Sequence, residues 1–156
     1  MITIRDATPA DAALITDFNA RLAEETEDRQ LDSDRLAAGV TTMLSDPARY
    51  GRYFVAERGG DIVGQLAVTY EWSDWRDGWF WWFQSVYVRP AARRLGVFSA
   101  LYDHVMQLVR ERDDVCGLRL YVHDSNRQAQ QTYLARGMHD SRYRVLEIEI
   151  ASEVSA

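Results

Sequence analysis

Apolar and polar residues alternate over Met1–Arg5, the period of a half-buried strand. The period then changes. Thr8-Pro9-Ala10-Asp11 combines a capping residue, a proline at the first helical position and an early acid, and it opens a helix along which Leu14, Ile15, Phe18 and Leu22 recur at helical spacing. Residues 24–34 are polar and acidic and read as a solvated connection or helix face. A second helix is predicted over Asp34–Leu44, ending before Pro47. Two β-rich runs, Tyr53–Glu57 and Ile62–Tyr70, flank Arg58-Gly59-Gly60-Asp61 and predict a hairpin. A third run, Trp79–Val88, follows the turn-like Asp77-Gly78 and stops at Pro90. From Val97 to Arg112 an apolar stripe of Phe98, Leu101, Tyr102, Val105, Leu108 and Val109 marks an amphipathic helix. Gly117–His123 alternates again. Ser125 with Gln128 forms a capping-box pattern for a helix that Gly137 is placed to end, and Arg142–Ile150 reads as a last strand. The order β-α-α-β-β-β-α-β-α-β describes a mixed sheet covered by helices.

Composition narrows the class. A chain of 156 residues is the size of one domain, and residues 1–156 are expected to form one. No internal repeat or low-complexity linker divides it. Eighteen basic against twenty-four acidic side chains give a net charge of −6, which argues against a dedicated nucleic-acid binder and suits a cationic substrate. Cys116 is the only cysteine, so an intrachain disulfide or a cysteine-rich metal site is excluded; in its apolar stretch it is expected to be a small core residue. The three histidines share no metal-ligand spacing, and His104 is expected on an exposed helix face. No secretory signal and no stretch near the roughly 20 apolar residues of a membrane helix is visible, so the expectation is a cytoplasmic protein without membrane or metal.

The segment most informative about chemistry joins the Gln84–Val88 strand to the helix that follows. It reads Arg89-Pro90-Ala91-Ala92-Arg93-Arg94-Leu95-Gly96-Val97-Phe98. A helix start presents unpaired N–H groups and partial positive charge. Gly96 lets the backbone approach a ligand, and Arg93 and Arg94 add full charge, which together make an anion site suited to a pyrophosphate. A plain strand-to-helix turn with solvated arginines would have the same composition. A P-loop is disfavoured because no Gly-Lys-Ser/Thr follows, and a dinucleotide fingerprint is absent because there is one glycine where three are needed.

Val88-x-Pro90-x-x-Arg93-Arg94-x-Gly96-Val97 resembles motif A of the GNAT acetyltransferase superfamily, Arg/Gln-x-x-Gly-x-Gly/Ala, with Phe98 standing where glycine or alanine is usual. Asn126-x-x-Ala129-x-x-x-Tyr133-x-x-x-Gly137-Met138 is similar to motif B, with methionine replacing the usual phenylalanine. The resemblance is specific from Gln84 to Gly137 and follows the element order of the whole chain. It implies an α/β (α+β) fold: a mixed, mostly antiparallel sheet with a splayed central strand pair and about four flanking helices.

It also implies acetyl-CoA as cosubstrate and a primary amine as acceptor. The pantetheine arm would lie along Val86, Tyr87 and Val88. The pyrophosphate would lie on Arg93, Arg94, Leu95, Gly96, Val97, Phe98 and Ser99. Asn126 matches a residue that contacts the pantetheine arm or the chain around it; it would equally serve as a turn-and-cap residue. A neutral amine would attack the thioester carbonyl, whose oxyanion would meet a backbone N–H of Val86 or Tyr87. Tyr133 matches the general acid that protonates the leaving thiolate; packing is its alternative role. Where many relatives carry a glutamate as base, this chain has Gln84, which cannot take a proton. Of the nearby carboxylates Glu71, Asp74 and Asp77, Glu71 at a strand end is the first choice, while Asp74 and Asp77 suit a turn.

All five tryptophans, Trp72, Trp75, Trp79, Trp81 and Trp82, fall within eleven residues, beside Phe80 and Phe83. In a strand Phe80 and Trp82 point one way and Trp81 and Phe83 the other. Large aromatics on both faces exceed one core's need, so part of the cluster is either an acceptor-pocket wall, a homodimer face or plain packing. Three readings follow: an N-acetyltransferase, a non-catalytic acyl-CoA-binding module (favoured by Gln84), and a structural or partner-binding domain. The acceptor is not legible.

Overall fold

The computed structural model describes residues 1–150, which divide into two compact units, Met1–Tyr121 and a second from Val122 onward. The first unit is built on a five-stranded sheet in sequential order. Its strands are β1 (Ile2–Asp6), β2 (Arg52–Arg58), β3 (Asp61–Ser73), β4 (Gly78–Val88) and β5 (Val115–Leu120). Neighbours pair antiparallel except β4 and β5, which are parallel. Parallel neighbours require a crossover, which α4 (Val97–Arg110) supplies. Helices α1 (Ala12–Glu27), α2 (Ser33–Ser45) and the one-turn α3 (Pro47–Tyr50) lie between β1 and β2. The sequence reading missed α3, a single turn opened by Pro47 and capped by Asp46. No helix among the described residues is long and apolar enough to cross a membrane.

The sheet is covered on both faces, so its central strands read as continuous apolar runs. Tyr53, Phe54, Val55 and Ala56 are all buried. On one face Ile15 of α1 and Val40 and Leu44 of α2 close over Tyr53, Val55 and Ala67. On the other, α4 sets Tyr102 edge-on to Phe83 at 5.7 Å and His104 against Phe54 at 5.2 Å. His104 is therefore half-buried, which corrects its expected place on an exposed face, and burial lowers its pKa. Cys116 departs from expectation in the other direction and is exposed. β5 is an edge strand with β4 as its one neighbour among the described residues, and none of its residues reaches full burial.

In the second unit, α5 (Arg127–Ala135) begins on Asn126, whose side chain accepts from the Ala129 N–H at 3.1 Å. The cap is thus Asn126, not the Ser125–Gln128 box; the Ser125 hydroxyl instead meets His123 Nδ1 at 2.7 Å. Gly137 takes φ +90° just past the helix end, as its position predicts. The alternating segment Arg142–Ile150 is not a strand in this structure. Alternation makes a segment two-faced, but a strand also needs a partner, and the second unit holds no other strand among its described residues.

An ion pair fixes the entry of α1 to the sheet edge. Arg5 on β1 donates to both carboxylate oxygens of Asp11 at 2.8 and 3.0 Å and to Glu57 on β2 at 2.7 Å. Asp11 is 8% exposed and also accepts the Thr8 N–H at 2.7 Å. The Arg5 bonds are the main reason its carboxyl pKa is lowered to about 2. A carboxyl whose pKa falls on folding contributes stability that is present above its unfolded pKa and lost as pH drops through the folded value. Asp11→Asn is therefore expected to lower stability by about 1–2 kcal/mol at pH 7, allowing for the partial exposure of Arg5. Urea melts of both proteins should show that difference closing between about pH 4 and pH 2; a constant difference would assign the effect to packing.

Candidate active site

β4 keeps its two neighbours for only part of its length. Its pairing with β5 runs from Trp79↔Val115 to Phe83↔Leu120 and stops where β5 ends. β4 continues to Val88, so residues 84–88 have β3 on one side and no strand on the other among the described residues. Residues 84–86 and 88 are half-buried there, whereas the Tyr87 side chain is 3% exposed and packs on Phe18 at 5.0 Å. Its hydroxyl donates to Glu25 Oε1 at 3.3 Å, and burial raises its pKa. Val86, Tyr87 and Val88 thus offer a stretch of backbone at an open edge, and Tyr87 binds the rest of the protein through its ring.

The segment after β4 turns abruptly. Pro90–Ala92 forms a 3₁₀ turn, Arg93 is extended, and Arg94 and Gly96 are left-handed at φ +65° and +84°. α4 starts at Val97 with Gly96 as its N-cap. An open cavity of about 420 Å³ lies here, lined by Val88, Arg93, Arg94, Gly96, Val97 and Ser99 among others. Nothing stands within 4 Å of where a Gly96 Cβ would be, so this glycine is required by its φ while the space above it stays open. The first turn of α4 faces the same space with its outward N–H groups and the positive end of its dipole. Leu95 is exposed in the turn, and Phe98 lies 6.0 Å from the Tyr102 ring.

The two arginines are not equivalent. Arg93 donates from Nε to the Val88 carbonyl at 2.9 Å, pairs through Nη2 with Glu25 of α1, and stacks over Tyr87 at 5.7 Å. Its guanidinium ties the end of β4 to α1 and is engaged within the fold. Gly64, which the sequence reading did not single out, lets α4 begin where it does. A Cβ on Gly64 would stand 2.9 Å from Val97 Cγ1 and 3.1 Å from the Tyr87 carbonyl oxygen. Its signal in the sequence is a glycine inside a strand pattern, which marks a close approach.

The aromatic run divides by face. Trp81 and Phe83 are core residues on the α4 side, at 3% exposure each. On the opposite face Trp82 stacks on Tyr121 at 4.5 Å, and the Arg119 guanidinium lies 3.6 Å over the Phe80 ring. Trp72 and Trp75 are exposed near the β3–β4 turn, where residues 74–77 include Asp74 and Asp77 as turn residues. Glu71 shares the face of Phe80 and accepts from Arg119 at 2.7 Å, so a proton-accepting role would fall to its other oxygen. Gln84 on this face donates to Thr69 Oγ1 at 3.3 Å. Arg119 was not anticipated, because one arginine in an alternating strand carries no signal of its partners.

The predicted residues fall in two groups. Val86 through Ser99 and Glu71 belong to the first unit, while Asn126, the cap of α5, and Tyr133 within it belong to the second. Asn126 serves as the cap. The Tyr133 carbonyl accepts from Arg136 and Met138 where the helix ends. Among the described residues no group of three or more His, Cys, Asp and Glu side chains is placed to hold a metal ion.

A half-open parallel strand pair beside a glycine-capped helix start places outward backbone N–H groups of an α+β fold around one cavity. The sequence matches the acetyltransferase (GNAT) family over residues 13–138, and the chain belongs to that family. It is 40% identical to a possible acetyltransferase from Clostridium difficile 630, with a TM-score of 0.90 and coverage of 97% of this chain and 99% of that one. At 19% identity and TM-score 0.74 it shares its fold with a predicted acetyltransferase from Clostridium acetobutylicum solved with acetyl-CoA, 96% of each chain being covered. A ribosomal-protein-alanine N-acetyltransferase from Brucella melitensis biovar Abortus 2308 shares the fold at 18% identity and TM-score 0.76, over 97% of this chain and all of that one. No curated protein matches the sequence.

Gly64→Ala is expected to lose about 1–3 kcal/mol, the usual range for overpacking. Adding Val97→Ala should return part of that loss, because the two changes meet at one contact. Chemical denaturation of the two single variants and the double variant checks this; strict additivity would place the strain elsewhere.

Proposed function

We propose that this protein is an N-acetyltransferase that moves an acetyl group from acetyl-CoA to a primary amine by direct attack, with residues 1–156 acting as one functional domain. The observation that carries the reading is the open edge of β4 at residues 84–88, leading into the glycine-capped start of α4 and its cavity. That edge suits the amide-bearing pantetheine arm, and the helix start suits the pyrophosphate. The family match runs from residue 13 to residue 138, across both units, which supports a single domain.

In this reading the amine nitrogen forms the new C–N bond at the thioester carbonyl. The carbonyl oxygen gathers negative charge against a backbone N–H of Val86 or Tyr87. Collapse of the adduct breaks the C–S bond, and the Tyr133 hydroxyl gives its proton to the departing sulfur. The amine proton leaves to Glu71 or, through water ordered by Gln84, to solvent. The Trp82–Tyr121 pair, beside Glu71, forms the wall met by the acceptor; aromatic faces attract cationic amines. The alternative is a non-catalytic acyl-CoA-binding module. Gln84 favours it, since this side chain cannot accept a proton and is hydrogen-bonded to Thr69.

Thiol release from acetyl-CoA across a panel of amines separates the two: an enzyme releases CoA with at least one amine, whereas a binding module binds acetyl-CoA and releases none. Tyr133→Phe should lower kcat more than it raises KM for acetyl-CoA, by about 10²-fold or less because a thiolate already leaves readily. An unchanged kcat where chemistry is rate-limiting would return Tyr133 to packing. Glu71→Gln should depress kcat/KM most near neutral pH, with the loss shrinking at high pH as the acceptor arrives deprotonated. Parallel pH profiles for the two proteins would remove Glu71 as the base.

A further inference from the structure

A buried polar chain runs beneath the open edge of β4. Gln65 on β3 is fully buried. Its Nε2 donates to Asn19 Oδ1 of α1 at 2.6 Å and to the Ser85 carbonyl of β4 at 3.1 Å. Asn19, 8% exposed, donates from Nδ2 to the Tyr53 hydroxyl of β2 at 2.9 Å, and Tyr53 is itself buried. Four elements therefore meet through two side-chain amides. Leaving a buried polar group short of partners costs about 1–3 kcal/mol, and Gln65 Oε1 has no partner among the described residues. An apolar residue at position 65 would remove that deficit but would take the donor from the Asn19 Oδ1 and the Ser85 carbonyl, so the glutamine is kept for the acceptors it joins.

What it touches is an irregularity in β4. Gln65 pairs with Tyr87 but Ala67 pairs with Gln84, so Leu66 is opposed by both Ser85 and Val86. This is a β-bulge, and Ser85 sits in it at φ +49°, a conformation an L-residue adopts only at a cost. The bulge reverses which way later side chains point. Phe83 meets Tyr102 of α4, whereas Tyr87 meets Phe18 of α1 on the other face. It also turns the Ser85 carbonyl toward Gln65 and resets the directions of the amides that follow. Tyr87 pairs with Gln65 of β3, as Arg89 does with Val63, so the Val86 amide is the one left facing the edge that β5 leaves open.

We propose that Gln65, held by Asn19 and Tyr53, is a positioning residue that fixes the β4 bulge and so aims the Val86 amide at the thioester carbonyl. Gln65 acts through the Ser85 carbonyl and does not itself touch the acyl group. This rests on the acetyltransferase reading, and it adds a specific consequence. The acetyl carbonyl depends on the bulge, whereas the nucleotide end of the cosubstrate is held at the start of α4. Loss of the network should therefore weaken acetyl-CoA relative to CoA.

The test is calorimetric binding of CoA and acetyl-CoA, together with kcat, for wild type, Gln65→Met, Asn19→Leu and Asn19→Asp. Methionine fills the glutamine's volume without its amide. Aspartate keeps an acceptor for Gln65 Nε2 and a second oxygen for the Tyr53 hydroxyl. Gln65→Met and Asn19→Leu are expected to raise the Kd ratio of acetyl-CoA to CoA severalfold and to lower kcat about tenfold or more, with CoA affinity nearly unchanged. Asn19→Asp should melt at lower temperature, since it buries a charge, yet keep the wild-type ratio. A ratio unchanged in Gln65→Met, or one that follows melting temperature across all variants including Asn19→Asp, would overturn the proposal. Wild type that binds neither ligand would instead overturn the acetyltransferase reading, a result separate from any change in the ratio. Should Gln65→Met fail to fold, the Asn19 pair decides the question.

Discussion

β4 has to satisfy two neighbours that leave it at different points. β3 accompanies it to Val88, while β5 ends opposite Phe83. Below that point β4 is an interior strand with large apolar side chains on both faces. Above it β4 is an edge, and an edge inside a protein must have its backbone groups met by something. The bulge at Ser85, the turn at Pro90 and the glycine-capped start of α4 follow within about a dozen residues. The open edge and the helix start are consequences of one divergence, and they bring N–H groups of two kinds close together.

Charge is arranged so that side chains hold the frame and the backbone of the helix start is left open. Arg5 is bound to Asp11 and Glu57, Arg93 to Glu25 and the Val88 carbonyl, and Arg119 to Glu71. These pairs join β1 to the start of α1 and to β2, the end of β4 to α1, and β5 to β3. Partly exposed pairs of this kind contribute little stability individually, but they fix orientation. Fixed N–H groups at a helix start serve an anion well because they need no reorganisation when it binds. Gly64 supports the arrangement by leaving room for Val97 against β3.

Much of this was legible in the sequence because it rests on local rules. The stripe from Phe98 to Val109 placed α4, Pro90 ended β4, and Gly96 after two arginines marked the helix start. What escaped notice depends on partners far along the chain. Gln65 is one polar residue in an apolar strand, and nothing local says that Asn19 and Ser85 await it. The bulge appears only in the offset between β3 and β4, and the role of Arg119 only when Phe80 and Glu71 lie beside it. Cys116 was misjudged because an apolar neighbourhood in sequence was taken for burial, whereas β5 is an edge strand. The segment 142–150 was misjudged because alternation predicts a strand's faces and not its partner. Asn126 and Ser125 were both plausible caps, and geometry selected Asn126.

Amide hydrogen exchange with and without CoA tests most directly whether the open edge of β4 and the start of α4 form one binding surface. Saturating CoA should slow exchange together at residues 86–88 and 94–99, and leave the strands β1 and β2 as they were. Gly96→Glu, which sets a negative carboxylate against the phosphate position, should abolish the slowing in both segments. Protection confined to other parts of the chain, or exchange unaffected by millimolar CoA, would contradict the assignment of this edge as the cosubstrate site.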